Sequence, residues 1–355
     1  ISSMKIYSYR INVDEKIQKN VQLSPFINSK EKSINTEIIN ALKSDKVKIN
    51  ELNFDINKPI ISWEIFSSPN NDIYNFFQDK ISNTILSKDI SKKRIHDAIL
   101  RFNWKFEKIN FNKKKILSLG CGDGMELFFL RYKFPDSKIY AVDWEKNINS
   151  NLLKILNVEY EENNIYEYLK NNENNFDFIY SSYFLEHSYD VDLLFTLINK
   201  SLVSEGILAS NLPLISYYGT SYYNFLKKTL IDKKISQIDG GLIDVGHAWK
   251  TNEYDLYKTL ESNDFHEINI YGNANSVVPH KQIGVNEYIK SANFKFKLNN
   301  LFIKPFKLFI DKIYGNKINY WILRLFIRTT RSWTIADGQI ANYVPEVLFT
   351  AKKNG

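Results

Sequence analysis

Cysteine is nearly absent from this sequence: Cys121 is the only one in 355 residues. It has no second thiol to pair with, so no intramolecular disulfide forms and nothing calls for an oxidising compartment. A cytoplasmic address is the default expectation. An apolar leader is missing as well, because the N-terminus carries Lys5, Arg10, Asp14, Glu15 and Lys16 and lacks the hydrophobic stretch of a signal peptide; no export is expected. The longest run without a charge, residues 206 to 226, includes Asn211, Pro213, Gly219 and several Ser and Tyr. These are costly in lipid, so it does not read as a transmembrane helix. No internal repeat is visible, and the composition excludes collagen and a disulfide scaffold.

What is present suits a folded α/β protein: 44% hydrophobic and 25% charged residues, in a chain long enough for two domains or for one domain with large insertions. Lys and Arg exceed Asp and Glu by 47 to 40, a net +7. Residues 295 to 331 hold nine of the basic residues against Asp311 alone, a local +8, so the rest of the chain sums to −1. The protein is a nearly neutral body with one basic segment, and that segment is apolar at 19 of its 37 positions. The richness in Lys, Asn, Ile, Phe and Tyr also reads as the product of an AT-rich genome, which makes part of the lysine excess compositional.

Glycine gives the sharpest local signal. Residues 1 to 119 contain none; Gly120, Gly122 and Gly124 then fall within five positions, and the next is Gly206. Before the cluster, Lys115-Ile116-Leu117-Ser118-Leu119 reads as a buried strand, and residues 123 to 133 after it read as a helix. Residues 138 to 143 make a second strand, completing a βαβ unit. Further strands are expected at 158 to 160, 176 to 181, 207 to 210, 265 to 271 and 344 to 352. Helices are expected near 81 to 102, at 190 to 204 with Gly206 closing it, and at 252 to 263. The alternation is that of a doubly wound α/β fold.

A strand that runs into glycines and then a helix leaves backbone N–H groups at the carboxyl end of the sheet, where a ligand binds. Asp143, 23 residues after Gly120, stands where an acid would accept ribose hydroxyls. The spacing G-x-G-x-G, with Met125 where a dinucleotide site has its third glycine, and the missing Walker loop point to a nucleoside without phosphates.

These residues resemble the class I S-adenosylmethionine-dependent methyltransferases, over residues 116 to 211 and more weakly at 247 to 271 and 344 to 352. Ile116-Leu117-Ser118-Leu119-Gly120-Cys121-Gly122-Asp123-Gly124 is similar to the family's first motif. Tyr140 to Asp143 matches its second strand, and Phe176 to His187 its fourth strand with the Glu-His that follows. The resemblance implies a Rossmann-like doubly wound α/β fold, with a seven-stranded, mostly parallel sheet whose last strand is antiparallel, plus N-terminal and late helical additions. It implies S-adenosylmethionine as cofactor, with Gly120, Cys121 and Gly122 along its methionyl part and Asp143 on the ribose. Trp144 would cover the adenine face, Asn164 and Ile165 would lie near the adenine amine, and Ser181 would sit at the end of the fourth strand. Ser118 stands where the family commonly has an acid.

Methyl transfer from a sulfonium is an in-line displacement that needs alignment, and a hydroxyl acceptor also needs a base for its proton. Of the histidines at 96, 187, 247, 266 and 280, His247 is the leading candidate. It lies in a glycine-containing loop with Asp244 close enough in sequence to fix its tautomer. His187, with Glu186, follows the fourth strand; the pair either acts at the methyl position or caps and orients the next helix. His96 and His266 read as structural or exposed. Asn211-Leu212-Pro213-Leu214 imitates an amino-methyltransferase motif but follows the wrong strand. Tyr217, Tyr218, Tyr222 and Tyr223 either wall an acceptor pocket or belong to the core. No metal is expected, since Asp190 and Asp192 form no ligand cluster.

The chain divides into an N-terminal helical or lid region at 1–112, a methyltransferase core at 113–271 and 344–355, and a basic amphipathic insertion at 272–343. The leading reading is O-methylation of a sugar or lipid-linked glycan, such as a bacterial surface polysaccharide. Residues 295 to 331 then either lie on an anionic membrane surface, which would make the protein peripheral at the inner face, or pack as a lid. RNA methylation and a catalytically inactive cofactor-binding membrane adaptor are the alternatives. No nucleic acid partner is expected, because the basic stretch is too apolar to track phosphates. The sequence leaves the oligomeric state open.

Overall fold

The computed structural model describes residues 4–11, 47–54, 61–64, 71–82, 105–109, 114–188, 190–213, 217–218, 249–273 and 346–355. The centre is an eight-stranded sheet built around β4 (Lys115–Leu119). On one side of β4 come β5 (Lys138–Asp143) and β6 (Val158–Glu162). On the other come β7 (Phe176–Ser182), β8 (Leu202–Pro213), β12 (Glu346–Lys353), β11 (Phe265–Asn273) and β3 (Ile61–Glu64). β12 runs antiparallel to both β8 and β11, and the other pairings are parallel. The seven expected strands and the antiparallel last strand are therefore present. The eighth, β3, comes from the N-terminal region and joins the edge beside β11.

Strands covered on both faces are predominantly apolar, and in β4 every residue after Lys115 is buried, Ser118 being the one polar residue among them. Ile116, Ile139, Ala141, Phe178 and Tyr180 lie on one face, packed on α2 (Met125–Lys133) and α3 (Ser150–Leu156). Leu117, Leu119, Val142 and Ile179 lie on the other. There they meet α4 (Ile165–Lys170), α5 (Val191–Ser201) and α6 (Glu253–Ser262). Successive residues thus feed opposite cores, as a strand period of two requires. β6, at the sheet's edge, is mostly exposed and carries Glu159, Glu161 and Glu162.

Two expectations are corrected. The helix expected over 190 to 204 ends at Ser201, because the fully buried Leu202 already pairs with Phe176 as the first residue of β8. Gly206 therefore does not close the helix. It sits in an irregularity of β8 between Leu202 and Ile207, where a Cβ would stand 2.8 Å from the Val203 carbonyl. The N-terminal addition, expected to be helical, contains strands. β1 (Met4–Ile11) pairs antiparallel with β2 (Val47–Phe54) along one edge. β9 (Tyr217–Tyr218) and β10 (Trp249–Lys250) pair with the other edge. The helix α1 (Asn71–Ser82) follows β3, whereas nearly all of the helix expected near 81 to 102 lies outside the described residues. So do residues 295 to 331. Among the described residues no helix is long and apolar enough to cross a membrane.

A buried polar cluster ties the smaller sheet to the larger one. The Arg10 guanidinium on β1 donates to Asp192 at the start of α5 and to Asp255, at 3.2 Å, and Thr259 of α6. It also lies 5.7 Å from the centre of the Trp249 ring. Asp255 accepts from Trp249 Nε1 at 2.9 Å and from the Thr251 hydroxyl at 2.8 Å. A buried carboxylate is tolerated only when its lone pairs are occupied, and here they are. Replacing Arg10 by Met strips the cation from a buried acid. The expected loss is about 3 kcal/mol, read as a lower urea midpoint at unchanged slope; an unmoved midpoint would show that the cluster holds nothing.

Candidate active site

β4 ends in a turn that only glycine fits. Gly120, Gly122 and Gly124 have φ of +63°, +54° and +80°, in the left-handed region where a Cβ costs about 1–2 kcal/mol per residue. The Gly120 N–H donates to the Val142 carbonyl at 2.9 Å, which anchors the start of the turn to β5. The Gly124 N–H donates to the Cys121 carbonyl at 2.9 Å, which closes it. The Asp123 carboxylate then accepts from Met125 N–H at 3.1 Å where α2 begins.

The three glycines differ in what surrounds them. A Cβ on Gly120 would lie 2.6 Å from the Phe184 ring, and one on Gly124 would run into Ile148. Both are held bare by neighbours. A Cβ on Gly122 would meet nothing within 4 Å. That position is open, so packing does not explain the missing side chain, and its backbone forms a cradle that a ligand can approach.

Asp143, the last residue of β5, faces this cradle. One carboxylate oxygen accepts from Gly122 N–H at 2.7 Å and the other from Trp144 N–H at 2.7 Å. Burial pushes its pKa up, partly offset by those N–H donors. A carboxylate has about four acceptor sites, so two further donors, such as a pair of vicinal hydroxyls, can be taken without displacing the backbone. Cys121 is buried beside it. Burial first, and then the Asp143 charge, raise its thiol pKa, which keeps it protonated and unreactive.

The other expected residues are placed as follows. Trp144 is buried, and its indole N–H has no hydrogen-bond partner. Ser181 is fully buried near the end of β7, beside Leu119, and its hydroxyl likewise has none. Such orphaned polar atoms close to the glycine turn are what a site completed by a ligand leaves behind. Asn164 caps α4, its side-chain oxygen accepting from Tyr166 N–H at 2.8 Å and Glu167 N–H at 3.3 Å, and Ile165 beside it is fully buried. The buried Glu186 and half-buried His187 form a single 3-10 turn after β7, and the N-cap of α5 is Asp190. Asp244 and His247 lie outside the described residues. The strand that follows them, β10, packs against the 3-10 turn of Glu186 and His187. His266 lies 3.7 Å from Glu267 and is partly exposed. Asn211 is buried and accepts from the Tyr180 hydroxyl at 3.1 Å, a core contact.

The sequence reading missed Phe184, whose ring closes over Gly120, and Lys105, which is buried between α2 and the exit of β7. Phe184 was within the motif but carried no polar signal. Lys105 lies outside every motif, and only the folded chain brings it to this edge.

Comparison with known proteins adds the following. The family model described as a methyltransferase domain matches residues 89–268, just over half of the chain. Among solved structures, a Haemonchus contortus phosphoethanolamine N-methyltransferase 2 is 15% identical with a TM-score of 0.41, covering 72% of this chain and 52% of its own. A SAM-dependent methyltransferase from Archaeoglobus fulgidus is 14% identical with a TM-score of 0.38, over 79% of this chain and 99% of that one. A Burkholderia thailandensis 1,6-didemethyltoxoflavin-N1-methyltransferase is 11% identical with a TM-score of 0.39, over 80% and 87%. The chain spans about half the length of the first of these. No curated protein matches it.

Burial of Asp143 has a consequence for stability. With its folded pKa above the unfolded one, the folded state holds the proton longer. The group's contribution therefore becomes less favourable as pH rises from the unfolded pKa through the folded one, and stays so above it. Comparing wild type with Asp143→Asn by urea unfolding at about pH 4 and pH 7 should show the difference shifting in favour of the Asn variant at the higher pH. A difference independent of pH would contradict this.

Proposed function

The chain belongs to the methyltransferase-domain family, the class I S-adenosylmethionine-dependent methyltransferases, and from that premise we propose that it methylates a hydroxyl of a sugar or lipid-linked glycan. The observation that supports the cofactor half is the open face of Gly122 beside the Asp143 carboxylate. Asp143 is assigned the two ribose hydroxyls, for which its spare lone pairs suffice. The backbone of Gly120, Cys121 and Gly122 lies along the methionyl part, and Trp144, Asn164, Ile165 and Ser181 border the adenosine and the end of β7. When bound, S-adenosylmethionine supplies a methyl group already activated on sulfur.

The protein's part is then alignment, exclusion of water and removal of one proton. His247 takes the proton that the acceptor hydroxyl loses, and Asp244 fixes the tautomer that leaves the accepting nitrogen bare. Glu186 and His187 border the acceptor from the turn after β7, against which β10 packs two residues beyond His247. In favour of a glycan acceptor stand the large additions to a small-molecule type of core and the apolar, basic residues 295 to 331, suited to an anionic bilayer surface where glycans are assembled. In this reading residues 1–112 and 272–343 shape the acceptor side, and the protein works in the cytoplasm at the inner face of the membrane.

Incubation with radiolabelled S-adenosylmethionine and surface glycan fractions tests the reading. Label should enter the glycan in an alkali-stable form, and His247→Ala should lower the rate about 10²–10⁴-fold. Label in RNA instead, or cofactor binding with no labelled acceptor at all, would overturn the glycan assignment. A second measurement probes the cradle. Gly122→Ala should keep the fold within about 1–2 kcal/mol, the cost of its positive φ, yet weaken S-adenosylhomocysteine binding about tenfold or more in calorimetry, because the added methyl enters the open space. Unchanged binding would place the ligand elsewhere.

A further inference from the structure

The short 3-10 turn after β7 is held at both of its ends by segments of the cofactor side. At its start Phe184 covers Gly120, and the His187 N–H donates to the Phe184 carbonyl at 2.9 Å. At its finish the Ser188 N–H donates to the Leu185 carbonyl at 3.1 Å. The fully buried Ser188 hydroxyl shares a hydrogen bond of 2.8 Å with the Tyr166 hydroxyl, which also reaches the Asp190 carbonyl at 3.4 Å. Tyr166 is the second residue of α4, directly after Ile165 and the capping Asn164. One residue before that cap, the Asn163 N–H donates to the Asp143 carbonyl at 3.0 Å. A continuous run of bonds therefore leads from Asp143 through the first turn of α4 to the residue that follows His187.

Packing alone does not call for these two hydroxyls. Tyr166 lies in the apolar cluster that includes Leu169, Leu185, Val191 and Leu194. Phe paired with Ala would fill much of the same space at nearly the same stability, whereas removing one hydroxyl alone leaves the other unsatisfied. What a buried polar pair adds to apolar contacts is direction, because it fixes how two segments meet. The segments joined here carry Asn164 and Ile165, assigned above to the adenosine, and Glu186 and His187, assigned above to the acceptor.

We propose that Tyr166 is a positioning residue, which acts through Ser188 to set the turn of Glu186 and His187 against the wall of the adenosine site. This rests on the reading of the edge as the S-adenosylmethionine site and deepens it, because one buried hydrogen bond then links cofactor occupancy to the place of the acceptor turn. A ligand that steadies the first turn of α4 steadies the turn after β7 with it. Displacing a reacting group by about 1 Å costs about 10²-fold in rate, so the tie bears on turnover rather than on cofactor affinity.

Amide hydrogen exchange, followed with and without S-adenosylhomocysteine, reads the tie without turnover. In the wild type the ligand should slow exchange at residues 185–188 about tenfold or more, besides protecting 120–124. In Tyr166→Phe, in Ser188→Ala and in the double variant, protection at 120–124 should remain while that at 185–188 falls below about twofold, the double being no worse than either single. Calorimetry should find S-adenosylhomocysteine affinity within about threefold of wild type in all three, with circular-dichroism melts confirming that each folds. Turnover on surface glycan fractions should drop about tenfold or more in kcat, at a KM for S-adenosylmethionine changed less than about twofold. No protection of 185–188 in the wild type, protection there that survives both substitutions, or its loss only together with that at 120–124 would overturn the proposal and leave Tyr166 a core side chain. A wild type that binds the ligand but methylates no glycan would sink the acceptor assignment alone, since the exchange measurement still decides the tie. A wild type that binds no adenosyl ligand would sink the cofactor reading and the tie with it.

Discussion

The turn between β4 and α2 depends on three consecutive alternate residues without side chains, and the rest of the site depends on that turn. Left-handed backbone at Gly120, Gly122 and Gly124 turns the chain from a buried strand into a helix within five residues. The first and last glycines are pressed by Phe184 and Ile148, which seal the turn against both neighbours. The middle one is pressed by nothing. Its glycine answers to the left-handed backbone alone, so the turn is closed by packing at its two ends and open at its centre.

Asp143 couples this turn to the next strand. By accepting from Gly122 N–H and Trp144 N–H, it fixes the turn's shape while remaining a buried acid. Burial raises the energy of its ionised form and the two N–H donors lower it again, so the carboxylate is held in one orientation before any ligand arrives. Pre-set acceptors of this kind lose little when they bind hydroxyls, because neither the side chain nor the backbone has to be ordered at that moment.

The sequence made the turn and the sheet legible for a physical reason. Glycines at alternate positions, an acid at the end of the next strand and strands apolar on both faces are local signals, each set by its own few residues. The N-terminal strands were not legible, because β1 pairs with β2, β9 and β10, which lie about 40 to 240 residues away, and its alternation between Ile and polar residues is short and mixed. Gly206 was misassigned because a glycine after a helical pattern is normally a cap. Here the pairing of Leu202 with Phe176 begins the strand four residues earlier and turns the glycine into part of an irregularity. Lys105 and Phe184 were missed because their importance comes from tertiary neighbours alone.

The small sheet gives the turn after β7 its framework. Arg10 joins β1 to the first turns of α5 and α6, and Trp249 on β10 shares the same acid, Asp255. β10 in turn packs against the 3-10 turn that carries Glu186 and His187. A shift of β1 would therefore be felt at that turn through one buried cluster of charges rather than through a long flexible chain. Because breaking a buried charge cluster costs more than sliding an apolar contact, this arrangement favours a single position of β10, and with it of the backbone just after residue 248. The N-terminal strand, far from the glycine turn in sequence, thus helps decide where β10 meets the 3-10 turn that follows β7.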